Sequence, residues 1–227
     1  MYNVKKLINK NQFMPFIRHQ IFGRLIFTKT FWLLTFSDLF TWGFYLIIAT
    51  LSGIYLEGKL GDDVIKIVGI GGAIYYVIRG VLQLPISKVL DHIKNDRDEI
   101  FVLTLGCILM GLPFIFYPTL TSANQYYALQ VIFSFGVAMN LNPWRKLFAT
   151  NLEAGREARE YAAYDMVNSL FIALSIFFVG QIANINQFYF DVMIVTLGLL
   201  VMTGGLWAAL ISTDETRKSA NQHDKKD

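Results

Sequence analysis

Residues 75–98 read YYVIRGVLQLPISKVLDHIKNDRD, a stretch that begins as an apolar helix and ends in a run of both charges. Arg79 lies inside the apolar part, where a charge at the bilayer centre costs about 2.5 to 3.5 kcal/mol on insertion scales and so faces a partner or a watery cavity. From Lys88 onward come Asp91, Lys94, Asp96, Arg97, Asp98 and Glu99, and hydrophobicity resumes at Ile100. A short charged turn between two hydrophobic spans decides the fold class, an all-α integral membrane bundle.

Composition agrees with that reading. The chain has 227 residues, of which 54% are hydrophobic and 16% charged, against about 25% charged in a soluble domain. Each crossing takes about 20 apolar residues, which leaves room for six spans and no sizeable soluble domain. Cys107 is the only cysteine, so no internal disulfide, CxxC pair or thiolate metal site can form. The first 30 residues lack an apolar core followed by a small-residue cleavage site, so the first span is expected to act as its own signal.

Outward from the opening stretch, the spans fall at about 31–56, 64–90, 100–120, 125–143, 161–184 and 188–212. Residues 1–30 interleave Lys5, Lys6, Lys10, Arg18, Arg24 and Lys29 with apolar residues three to five apart. This suits either a basic amphipathic helix on an anionic membrane surface or a solvated lead-in to the first span. Residues 213–227 read as a disordered hydrophilic tail. In span 1, Asp38, Thr41, Tyr45 and Ser52 fall on one helical stripe. In span 2 Gly69, Gly72, Tyr76, Arg79 and Gln83 do the same, and the glycines invite close helix contact. Span 3 has Pro113, Pro118 and little polarity, which suggests a kinked helix facing lipid for much of its length. Span 4 is expected to end at Pro143 beside Asn140 and Asn142, with Arg145 to Glu160 forming a separate amphipathic helix. Span 5 places Asp165, Asn168 and Ser175 three and seven apart.

Six spans put both termini on one side. That side then holds 17 of the 20 lysines and arginines, so it is expected to be cytoplasmic, in a cell inner membrane. At about 1.5 Å per residue, Asp38 lies roughly 10 Å in from Phe31, Arg79 roughly 13 Å from Lys88 and Asp165 roughly 8 Å from Glu160. The three ionisable groups therefore share a layer, and a carboxylate facing the guanidinium there would offset part of the desolvation of both. They fit a substrate, ion or proton pathway, or a static pair that fixes helix order. Asn140 and Asn142 fit either substrate contact or backbone hydrogen bonding near Pro143. No histidine lies in a span, HExxH is absent, and Gly69, Gly71 and Gly72 lack a phosphate-loop context, so neither an enzyme nor a cofactor is expected.

The layout resembles one half of a major facilitator superfamily transporter: six spans, a charged turn after span 2 and a longer connector after span 4. In the turn, Ser87, Asp91 and His92 occupy the leading positions of that family's motif, while Lys94 and Asn95 stand where glycine and a basic residue are usual. PISKVLDHIKNDRDE and NPWRKLFATNLEAGREA resemble half-length members of the superfamily. The resemblance implies paired three-helix repeats, with spans 1 and 4 lining a cavity and spans 2 and 5 meeting a second half. Asp38, Thr41, Tyr45, Asn140 and Asn142 would then lie on a substrate or ion pathway, and Arg79, Gln83, Asp165 and Asn168 at the half-half interface or in ion pairs. Asp91 would latch one state, with Arg97 and Arg145 as partners.

The expected function is secondary transport of a small solute by alternating access, as a homodimer or with a second six-span half. Membrane lipid is a further partner and nucleic acid is not. The alternative is a non-transporting membrane interaction or assembly protein.

Overall fold

The computed structural model describes residues 27–92 and 96–213. The basic segment before Phe27, the tail after Thr213 and the turn residues Lys94 and Asn95 lie outside them. Among the described residues six long helices make up the bundle. Helix α1 (Lys29–Leu60) starts where the Thr28 hydroxyl accepts the Phe31 N–H at 3.1 Å, and it stops at Gly61, whose φ of 75° a side chain would disfavour. Helices α2 (Val64–His92) and α3 (Asp96–Phe116) follow, the latter extended by a 3₁₀ turn. Ser122 caps α4 (Ala123–Thr150), α5 is Glu157–Ala183, and Asn186 caps α6 (Gln187–Ala209). Among the described residues there is no strand.

Five of these helices are long and apolar enough to cross a membrane: α1, α2, α3 with its 3₁₀ extension, α5 and α6. Helix α4, at 28 residues, is about 42 Å long, which is also sufficient. Gln125, Gln130, Asn140, Asn142, Arg145 and Lys146 dilute its apolarity. It packs inside the bundle against α2 and α3, where several of those side chains find partners.

Helix α3 is the centre of the bundle, packed mainly on α4 and α6. Half of its most apolar stretch is buried, against 17% for α2 and 11% for α5. The expectation that span 3 faces lipid is thus corrected. Small residues explain the difference, because they let backbones touch without polar signposts. A Cβ added at Gly106 would come within 2.7 Å of the Asn140 backbone nitrogen, and one at Gly136 within 2.6 Å of the Met110 nitrogen. Gly111 meets Gly198 of α6 in the same way. Gly69 and Gly72, expected to serve close contact, have open space around them; in α2 it is Gly71 that fits under the Tyr126 ring.

Helix α4 does not end at Pro143. It continues to Thr150, so Arg145 to Glu160 divides among the end of α4, a connecting loop and the first turn of α5 rather than forming its own helix. A proline removes one helical hydrogen bond without ending a helix that neighbours hold in place.

Two apolar clusters fill the interior. One gathers Ile47, Ile48, Tyr55, Phe114, Tyr117 and Phe133; the other gathers Phe31, Leu34, Leu103, Trp144, Phe148 and Ile211. Along α1 the buried polar residues Ser37, Asp38 and Thr41 lie between them. Each end of the bundle carries an ion pair. Lys146 Nζ lies 2.6 Å from Glu99 and also donates to the Leu90 carbonyl. At the opposite end Lys59 lies 3.1 Å from Asp191, which accepts the Tyr55 hydroxyl at 2.7 Å.

Candidate functional site

Just after Asp38 the first helix changes geometry. Residues Leu39–Gly43 form a π-helical turn, closed by the Phe44 N–H bonding the Leu39 carbonyl. Such a turn takes in one extra residue and rotates everything beyond it, and it is frequent at functional sites. The Thr41 hydroxyl donates to the Ser37 carbonyl at 2.8 Å, while Gly204 of α6 lets that helix press against Ser37 and Thr41. The Asp38, Thr41, Tyr45 stripe expected from a regular 3.6-residue period is therefore broken. Asp38 and Tyr45 open on two different cavities, and Thr41 faces Cys107, its hydroxyl 3.2 Å from the thiol.

The cavity that Asp38 lines, the larger of these two at about 410 Å³, lies among α1, α2, α4 and α5 and is open to the outside. Asp38, Arg79, Arg145, Asp165 and Asn168 line it, with Trp42 and Trp144 among the apolar wall residues. Asp38 is only 6% exposed. Its Oδ2 accepts the Tyr164 hydroxyl at 2.5 Å and the Asn168 amide at 3.5 Å. Asp165 is exposed, one residue along α5 from Tyr164. Arg79 Nη1 donates to the Tyr75 hydroxyl at 2.9 Å, and its guanidinium lies 5.7 Å from that ring's centroid. Among the described residues no ion pair within 4.0 Å joins Arg79 to Asp38 or Asp165. The three groups surround one space without closing on each other, because tyrosine hydroxyls occupy the positions that the opposite charge was expected to take.

A second cavity of about 190 Å³ is lined by Tyr45, Tyr75, Tyr76, Tyr126, Gln130 and Phe133. Tyr75 links the two, lining the second and accepting from the arginine of the first.

The other sequence candidates separate from this site. Asn140 accepts the Trp42 indole N–H at 2.9 Å and donates to Cys107 Sγ at 3.2 Å, tying α4 to α1 and α3. Asn142 donates to Ser87 Oγ at 2.9 Å and to the Gln83 carbonyl at 3.3 Å. Its backbone target is therefore beside Pro85 in α2, not beside Pro143. The Gln83 side chain does not line the large cavity. Asp91 is exposed on the last turn of α2, and Arg97 is exposed at the start of α3. Arg145 lines the large cavity instead of bridging to Asp91, and an ion pair that joins α3 to α4 at this end is Lys146 to Glu99.

Four participants escaped the sequence reading: Tyr75, Tyr164, Trp42 and Trp144. Tyr164 had a usable signal, since it stands four residues before Asn168 and residues at that spacing share a helix face. Among the described residues no three metal-ligating side chains gather. No protein-family model, curated protein or solved structure matches the chain.

Proposed function

We propose that the chain is a six-span half of a secondary transporter for a small solute, working by alternating access as a homodimer in a cell inner membrane with both termini cytoplasmic. The carrying observation is the gathering of Asp38, Arg79, Arg145 and Asp165 around one open cavity inside an apolar bundle. Intramembrane charge facing a wet cavity is the usual mark of a substrate or ion path. The cavity touches α1, α2, α4 and α5, the four helices that the major facilitator resemblance assigns to the centre and to the junction between halves. Helices α2 and α5 are also the least covered in the single chain, with apolar residues such as Val81, Leu84, Leu174 and Phe177 turned outward. A second copy against this face would complete twelve spans.

A non-transporting assembly protein is the second reading. It is favoured by Thr41, Asn140 and Asn142, whose polar atoms are engaged between helices. Uptake of a solute panel into proteoliposomes separates the two. The transport reading expects Asp38→Asn to lower uptake at least about tenfold, the scale of removing one buried charged contact, with membrane insertion unchanged. No uptake of any solute by the wild-type protein, or full uptake by Asp38→Asn together with Arg79→Gln, would sink it.

A further inference from the structure

The charges around the large cavity are sorted by wall. Asp38 on α1 and Asp165 on α5 form an acidic side; Arg79 on α2 and Arg145 on α4 form a basic side. Neither side neutralises the other, since within 4.0 Å no ion pair crosses the cavity among the described residues. Local partners hold the walls apart, Tyr164 and Asn168 on Asp38 and Tyr75 on Arg79. Arg79 uses one donor on Tyr75, and a guanidinium carries five.

A second observation points to a missing guest. Asn168 is 7% exposed and lines the cavity. Its amide nitrogen donates to Asp38, but its Oδ1 is buried without a partner. Asp38 receives both of its bonds on Oδ2. The acidic wall therefore keeps unused acceptors, Asp38 Oδ1 and the exposed Asp165 carboxylate at its surface and Asn168 Oδ1 just beneath it, which call for a donor-bearing cationic group, while the basic wall calls for an anionic one. Trp42, Trp144, Leu46 and Ile172 add apolar surface to the same cavity.

We infer that the cavity between α1, α2, α4 and α5 binds a small zwitterion with a compact apolar body, its cationic end toward Asp38 and Asn168 and its anionic end toward Arg79 and Arg145. This deepens the transport reading and rests on its choice of cavity. A solute with one charge would satisfy one wall and leave the other uncompensated, which is how a polar site rejects a near analogue. Free zwitterions and the headgroup of a zwitterionic lipid share this chemistry.

Trp42 and Trp144 make binding visible as a change in intrinsic fluorescence. The full chain, in phosphatidylglycerol nanodiscs, is titrated with L-leucine and L-valine, and with 3-methylbutylamine and 4-methylpentanoate, which each keep one charge of leucine. A saturable response to a zwitterion, at least about tenfold tighter than to either singly charged compound, is expected. Arg145→Gln and Asp165→Asn, at exposed positions that fold tolerates, should each weaken it, and Asp38→Asn should weaken it most. If phosphatidylethanolamine is the natural guest, adding it to the nanodiscs should compete away the response, with lipid retained by the wild type and lost by Asp38→Asn in native mass spectrometry. No saturable response to either zwitterion and no retained phosphatidylethanolamine, or equal affinity for the amine or the carboxylate alone, would overturn the inference. Zwitterion binding without uptake would remove the transport reading and leave this one standing. Uptake of a singly charged solute without zwitterion binding would do the reverse.

Discussion

Buried polar groups in this bundle are held mainly by neutral partners, and the charged pairs stand at its two ends. Asp38 rests on a phenol and an amide and Arg79 on a phenol, while Glu99 has Lys146 and Asp191 has Lys59. Glu99 is 4% exposed, so removing its cation leaves a carboxylate that water barely reaches. Lys146→Met should destabilise the protein by about 1 to 3 kcal/mol, the cost of an orphaned buried acceptor, seen as a lower Tm in detergent. Adding Glu99→Gln should restore part of the loss, and an unchanged Tm in the single variant would mean the pair contributes nothing. That Asp38, Arg79 and Asp165 come to one level of the bundle, around one cavity, was legible in the sequence, because helical rise fixes a residue's level along its helix. Which group each would bond was not, since Tyr75 and Tyr164 look like ordinary packing aromatics until the helices are assembled.

At the level of elements, the number and order of the long helices followed from hydropathy and charge, and their neighbours did not. Beyond Glu99 helix α3 carries few polar side chains, a pattern equally suited to lipid and to a close-packed interior; Gly106, Gly111 and their opposite numbers Gly136 and Gly198 decide for the interior. Gly106→Leu should cost at least the roughly 1 to 3 kcal/mol typical of overpacking, because backbone rather than a movable side chain fills the space. Gly80→Leu, at a position with open surroundings, should fold as the wild type does. Comparing the monodisperse fraction of the two variants by size-exclusion chromatography tests this, and equal yields would refute the tight approach of α3 to α4. The π-helical turn at Leu39–Gly43 was likewise unreadable, since a stripe counted at 3.6 residues assumes that no residue is inserted. Its effect is to aim Asp38 and Tyr45 at separate cavities.

For the molecule as a whole, the decisive quantity is the number of chains in a particle. The outward apolar faces of α2 and α5 and the open cavity beside them predict a two-chain species in native mass spectra from lipid nanodiscs, stable on dilution. A single chain at every concentration would leave α2 and α5 facing lipid and would argue against a homodimeric transporter. Cys107 adds a practical consequence. The only thiol of the chain is fully buried where α1, α3 and α4 converge on Thr41 and Asn140. A maleimide can reach it only when those helices part, so its labelling rate is a stopwatch on the opening of the bundle, present in the wild-type protein without an engineered probe.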